Sequence, residues 1–269
     1  MNIGLVVHDG RPEVVAFARD LLAAAEDSGL KVVGEDRVRE VIDPSLAEGE
    51  PDVVVAVGGD GTMLAAAQEA LAHNVPLFGF NLGTIGFLTE VEPDMLAGVL
   101  EDLAAGNYTT ESRMAIMATL GGAEARGLND VVVEKIDTLR LIHLEVEIDG
   151  EAFLTYRADG MIVSTPTGST AYNFSAGGPL VDHSISALLM TPVASHSLFS
   201  RTIVLPAESV IRVTVRRERP ARASVDKVRL GEAGEGDVVE IRRAPEPIRF
   251  IRFSERSFAR AVTEKFELD

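Results

Sequence analysis

The chain has 269 residues, 46% hydrophobic and 25% charged, which is ordinary globular composition and enough to bury a sizeable core in one or two domains. It contains no cysteine, which excludes disulfides, thiolate catalysis and zinc–thiolate sites, and its five histidines form no His-x-x-x-His pair. A formal net charge of −17 argues against a nucleic-acid partner, whose affinity would come largely from a basic surface.

No apolar run approaches the roughly 18 residues of a membrane helix. The start, Met1-Asn2-Ile3-Gly4, shows neither the basic region nor the apolar run of a signal peptide, so a cytoplasmic protein is expected. Residues 3–7 form a short apolar run. Residues 12–27 read as a helix, with Val14, Val15, Ala18, Leu21, Leu22 and Ala25 on one face. The valine-rich run 52–57 reads as a strand buried on both faces of a parallel sheet. Glycines at 58–61 break it, 62–73 is helical, 75–80 is the next strand and 93–105 the next helix. Such alternation predicts, over residues 1–108, an α/β domain with an open, mostly parallel sheet and helices.

From residue 109 the period changes. Residues 140–149 alternate apolar and polar positions, with turn signals at Asp149-Gly150 and Asp159-Gly160, and short strands are expected at 161–164, 202–205, 210–216, 221–230 and 237–243. The expectation is an antiparallel all-β C-terminal domain over 109–246. Residues 254–266 return to helical character, with Phe258, Val262 and Phe266 four apart, inside a closing segment 247–269 expected to return to the first domain.

Gly58-Gly59-Asp60-Gly61-Thr62 stands between the buried strand and the next helix. In open α/β sheets ligands bind at the carboxyl ends of strands, where helix N-termini present N–H groups. Glycines there let the backbone approach a phosphate closely, and Thr62 stands where it could cap the helix or contact a phosphate oxygen. Asp60 could accept the proton of an attacking hydroxyl or help to hold Mg²⁺. A tight turn with Asp60 as a plain helix cap is the other reading. The segment is neither a Walker A loop nor a G-x-G-x-x-G fingerprint. Further on, a strand at 161–164 runs into a hydroxyl-rich loop with Thr165, Thr167, Ser169, Thr170 and Ser175, and Tyr172 offers a face on which a base could stack.

Taken together these segments resemble the NAD kinase family over most of the chain. Residues 58–62 match its GGDGT, residues 81–88 (NLGTIGFL) its N-x-G-x-x-G-F-L, Asn129-Asp130 its Asn-Glu/Asp pair, and 159–179 its DG…STPTGSTAY…SAGGP segment. The resemblance implies ATP (or polyphosphate) as donor with a divalent cation such as Mg²⁺, NAD as acceptor, and NADP as product, phosphorylated on the adenosine 2′-hydroxyl. By position it implies Asp60 as the catalytic base. Gly58, Gly59, Gly61, Thr62 and Asn81 would lie around the substrates, Asn129 and Asp130 at a ribose, and Asp159 at the nicotinamide end. Thr170, Ala171, Tyr172 and Ser175 would enclose the bases. Arg140, Arg157 and Ala194 fall where members contact the dinucleotide or its phosphates, Arg140 reading equally as a solvated strand residue, and His196 as either a family or a structural position. No residue is assigned as a metal ligand. A homodimer or homotetramer is implied, with neither nucleic acid nor membrane as partner. The family's late Asp-Gly-Gln reads Asp226-Lys227-Val228 here, removing one expected dinucleotide contact, and Arg201-Thr202 replaces its Arg-Pro. A kinase for a lipid or sugar hydroxyl, and a catalytically silent dinucleotide sensor, are the competing readings; the charge opposes a lipid kinase, the Tyr172 loop a sugar kinase, and the intact Asp60 the sensor.

Overall fold

The computed structural model describes residues 1–8, 10–34, 36–83, 86–137, 139–217, 219–254 and 257–268. The chain forms two compact units, Met1–Ser112 together with Ile248–Asp269, and Arg113–Pro247.

In the first unit β1 (Asn2–Val7) leads to α1 (Pro12–Asp27), β2 (Lys31–Val33), α2 (Asp36–Val41), β3 (Val53–Gly58), α3 (Asp60–His73) and β4 (Leu77–Asn81). A 3₁₀ turn, Pro93–Met95, then opens α4 (Leu96–Ala105), and β5 (Thr109–Arg113) follows. Pro12 sits at the start of α1, where its missing N–H removes no helix bond. Val14, Ala18, Leu21 and Ala25 form that helix's buried stripe. Every residue of β3 is buried. Val53, Val55 and Val57 share a core with α1 and α4, through Leu21, Val99 and Leu100. The alternate side chains, Val54 and Ala56, face the α3 side, where Met63, Ala66, Ala67 and Ala70 are buried. β1 pairs in parallel with β2 and β3, and β3 with β4.

The second unit contains β6 (Ile116–Leu120), β7 (Ala123–Gly127), β8 (Asp130–Lys135), β9 (Ile142–Ile148), β10 (Glu151–Ala158) and β11 (Gly160–Ser164). A 3₁₀ turn (Thr167–Thr170) and the short α5 (Tyr172–Ser175) precede β12 (Ala187–Val193), β13 (Ile203–Pro206), β14 (Ile211–Arg216), β15 (Ala221–Val225), β16 (Val228–Ala233) and β17 (Val238–Arg243). Among the described residues these make two antiparallel sheets, ordered β10-β9-β14-β17-β6-β7 and β13-β12-β11-β8-β15-β16. Their facing side chains, such as Leu144, Val146 and Tyr156 from one and Val131, Met161 and Met190 from the other, share one core. The chain then re-enters the first unit. There β18 (Ile248–Arg252) joins the sheet beside β4, in the order β2-β1-β3-β4-β18-β5, and α6 (Phe258–Phe266) closes the chain, capped by Ser257. Phe266 of α6 packs against Phe87, ring centroids 6.0 Å apart.

The α/β-then-antiparallel-β order agrees with the sequence periodicities, but three local expectations need correction. Residues 221–230 are not one strand. β15 and β16 are separated by a tight turn with Asp226 at φ 47° and Lys227 at φ 70°, the left-handed pair that matches hairpin twist. Asp149 and Gly150 form such a turn as well (φ 52° and 85°). Asp159-Gly160, by contrast, is not a hairpin: the chain there passes from β10 in one sheet to β11 in the other. A side chain at Gly160 would lie 2.7 Å from the carbonyl oxygen of Val133, so the corner admits only glycine. Finally, α3 begins at Asp60, two residues before the expected start. The expected tail helix begins at Phe258, and Glu255 and Arg256 lie outside the described residues.

Candidate functional site

The first group of site residues is built where β3 ends. A side chain at Gly58 would run into the Thr62 hydroxyl. Gly59 is the N-cap of α3 and brings no side chain to cap it. Asp60 follows as the first helical residue, so it is not the helix cap. Its carboxylate instead turns to the segment after β4: Oδ2 accepts from the Phe87 N–H and Oδ1 from the Leu88 N–H, each at 3.0 Å. Gly86 makes this approach possible, since a Cβ there would overlap Asp60 Oδ1. Asn81, buried at the end of β4, accepts from the Gly83 N–H at 3.2 Å, and Leu82 N–H donates to the Gly58 carbonyl at 3.2 Å. Two motifs more than 20 residues apart in the sequence are therefore one structure. Thr84 and Ile85 of the second motif lie outside the described residues. Thr62 does not cap α3 either; it is buried inside the helix. Beside it a cavity of about 510 Å³, lined by Gly61, Thr62, Ala65, Val6 and Val38 among others, leaves room for a ligand of moderate size.

The second group is held in the other unit, at the start of β8. The N–H groups of Leu128, Asn129 and Asp130 all donate to the Asp226 carboxylate, at 2.6, 2.8 and 3.1 Å. On the carbonyl side, Thr165 N–H (2.8 Å) and Ser164 Oγ (3.2 Å) donate to Asn129 O, and Thr165 Oγ1 donates to Leu128 O at 2.6 Å. Gly168 lies so close to the Asn129 backbone that any Cβ would overlap it. The side-chain oxygen of Asn129 is buried with no hydrogen-bond partner. Asp130 is buried too: burial first, and the Asp226 charge second, push its carboxyl up to about 7 against the pull of Lys227.

The hydroxyl-rich loop is shaped largely by its own hydroxyls. Thr165 Oγ1 accepts from Gly168 N–H, Ser169 Oγ bridges to both backbone groups of Val181, and Thr170 Oγ1 donates to Thr167 O at 3.2 Å. Asn173, fully buried, donates to the carbonyls of Ser169 and Pro179 and accepts from Thr191 Oγ1 at 2.6 Å. The hydroxyls of Thr165, Ser169 and Thr170 are thus engaged by the backbone. The loop holds Tyr172 41% exposed. Burial first, then the charges of Glu134, Asp130 and Asp159, raise its phenol, which places Tyr172 among the acidic site residues. Asp159 sits at the corner between the sheets, its carboxylate paired with the Lys135 ammonium and its N–H on Val193 O at 3.0 Å. Ala194 follows β12 with φ 45°. Arg157 is exposed on β10, where Ser197 Oγ and the His196 N–H bind its backbone. Ala171 is half-buried, Ser175 is exposed at the end of α5, and Arg140 is exposed ahead of β9, not within it. Asn129, Asp130, Asp159 and Tyr172 are thus gathered, while the structure ties Arg140 to none of them.

Sequence alone does not single out Lys135, and it gives Asp226 only as part of the Asp226-Lys227-Val228 segment, with no role of its own. The signal for Asp226 was an Asp followed by a polar residue between two alternating runs, which is turn grammar; read as one strand, 221–230 concealed it.

Comparison with known proteins finds matches to both halves of the chain. A family model described as the ATP-NAD kinase N-terminal domain matches residues 3–108, and one described as the ATP-NAD kinase C-terminal domain matches 128–253. The NAD kinase of Heliobacterium modesticaldum is 41% identical, over 99% of this chain and 98% of its own length. That of Moorella thermoacetica is 38% identical, over 99% and 89%. The crystal structure of yeast NADH kinase complexed with NADH superposes with a TM-score of 0.91 at 24% identity, covering 100% of this chain and 88% of that one, which bears on the fold. With both halves matched and full-length relatives this similar, the chain belongs to the ATP-NAD kinase family.

Proposed function

We propose that the chain transfers the terminal phosphoryl group of ATP to the 2′-hydroxyl of the adenosine ribose of NAD, giving NADP. The observation that carries this reading is the aimed carboxylate of Asp60: it stands at the uncapped N-terminus of α3, with both oxygens oriented by backbone N–H groups of a second motif. Phosphoryl transfer is mostly positioning and charge neutralisation. The open N–H groups and dipole of α3 suit a phosphate, and Asp60 suits the proton of the attacking hydroxyl. Gly58, Gly59, Gly61, Thr62 and Asn81 shape that surface. Asn129 with its unpartnered oxygen, Asp130, Asp159, Thr170, Ala171, Tyr172, Ser175 and Ala194 bind the dinucleotide, and Arg157 and Arg140 supply positive charge for its phosphates.

A divalent cation such as Mg²⁺ neutralises charge on the donor phosphates when bound. Such an ion is commonly held by one or two carboxylates plus substrate phosphates, and Asp60 is the carboxylate that fits. Among the described residues no cluster of three acidic or histidine side chains forms a separate cage. Polyphosphate is the alternative donor. The second unit exposes Phe153, Leu198, Phe199 and Val204, apolar surface that fits assembly into a homodimer or homotetramer. No helix among the described residues is long and apolar enough to cross a membrane, and we place the enzyme in the cytoplasm.

The test is an endpoint assay with purified protein, NAD, ATP and Mg²⁺, read by an NADP-specific dehydrogenase. NADP should form in proportion to protein and only with donor present. Tight NAD binding without NADP, on ATP or polyphosphate, would instead indicate a dinucleotide sensor.

A further inference from the structure

The dinucleotide site proposed above rests on a short backbone segment, 128–130, and this segment is clamped from two sides. On one side lie the hydroxyl-rich loop and Gly168. On the other lies a single carboxylate from a hairpin turn almost a hundred residues later, which accepts all three successive N–H groups. The hairpin is built for this. Asp226 takes the first left-handed position of the turn, Lys227 the second, and Asp226 is itself buried. Its own N–H donates back to the Asp130 carbonyl at 3.0 Å. Gly127, just before the segment, lies beneath the turn, and a Cβ there would come within 2.6 Å of Val225 and 2.8 Å of the Asp226 carboxylate.

Three N–H donors converging on one site require an acceptor-only group; a carboxylate supplies it, whereas an amide offers one oxygen and a clashing NH₂. We infer that Asp226 is a positioning residue for NAD binding: it fixes the 128–130 backbone so that the Asn129 and Asp130 side chains are presented to the dinucleotide before it arrives. This assigns a role to the Asp226-Lys227 turn that is independent of the glutamine contact missing after it. It rests on the reading that Asn129 and Asp130 contact NAD.

The test is calorimetric binding of NAD, with steady-state kinetics, on four full-length proteins: wild type, Asp226→Asn, Asp226→Glu and Asn129→Ala. Asp226→Asn should fold, weaken NAD about tenfold or more, raise KM by a similar factor and change kcat much less, because one N–H is left facing an NH₂ group. Asp226→Glu, which keeps the charge but lengthens the arm, should fall between it and wild type. A folded Asp226→Asn protein with wild-type Kd and KM overturns the proposal, provided Asn129→Ala weakens NAD. If Asn129→Ala also binds normally, the placement of the dinucleotide itself is wrong. Should neither Asp226 variant fold, amide exchange on the wild type decides: the Leu128, Asn129 and Asp130 N–H groups should be strongly protected without NAD, and fast exchange that slows only when NAD is added overturns pre-positioning.

Discussion

Both groups of candidate site residues are rich in glycine. Gly58 and Gly86 in the first, like Gly168 and Gly178 in the second, answer close contacts, but two glycines of the first group do not. In the turn after β3, a Cβ added at Gly59 or Gly61 would meet no protein atom within 4 Å. Around Asn129, a Cβ at Gly168 would overlap the Asn129 backbone, and one at Gly178 the Asn173 side chain. Gly59 and Gly61 thus leave open space beside the turn, whereas Gly168 and Gly178 let the protein close on itself. The polar groups divide similarly. Asp60 is a carboxylate oriented by the backbone, whereas Asp226 is a carboxylate that orients the backbone.

Four tests would break or sharpen this contrast. The largest effect is expected from Asp60→Asn, which should lower kcat by about 10²–10⁴-fold as a lost proton acceptor while leaving the Kd for NAD within about threefold; near-normal turnover would remove Asp60 from the base role. Next comes the paired alanine test. Gly168→Ala should destabilise by about 3 kcal/mol or more, through forced backbone displacement. Gly61→Ala, in an unobstructed helical position, should stabilise by up to about 1 kcal/mol yet reduce kcat/KM for ATP. Equal losses of melting temperature in the two would erase the distinction between glycines beside open space and glycines kept for packing.

The third prediction concerns pH. Asp130 is raised from 3.8 to about 7 in the fold, by burial and then by Asp226. The folded state therefore binds this proton more tightly than the unfolded state between those values. The resulting stability is complete below about 3.8 and is lost as pH rises through about 7, a span worth on the order of 4 kcal/mol. Asp130→Asn should remove that dependence, so its melting temperature relative to wild type should be higher at pH 8 than at pH 5. A difference independent of pH would show that Asp130 carries no such penalty. The smallest effect is expected from Lys227→Gly. Lys227 holds φ 70° in the hairpin turn, a conformation glycine adopts freely, so stability should rise by about 1 kcal/mol without loss of NAD affinity.

How much of this was legible in the sequence follows from the range of each interaction. The all-buried run at β3 and the amphipathic stripe of α1 are local patterns, and each appears in the structure close to where the sequence places it, whereas residues 109–113, expected to open the second domain, form β5 of the first unit's sheet. The six-residue α2 escaped notice because Val38 and Val41 alone cannot establish a helical period. The hairpin at 226–227 escaped because alternation continues on both sides of it and Lys227 is not a usual turn residue.

The sequence by itself determined the two kinds of architecture, the glycine turn with Asp60, and the family to which the motifs belong, because hydrophobic period and short-range turn chemistry are encoded in neighbouring residues. The tertiary structure alone decided which groups meet. Asp60 is aimed by the amides of Phe87 and Leu88, 27 and 28 residues away, and the segment bearing Asn129 is held by Asp226, 96 to 98 residues away. Such pairings carry no local signature, since a carboxylate on a backbone N–H can be satisfied by any segment that chain closure brings to it.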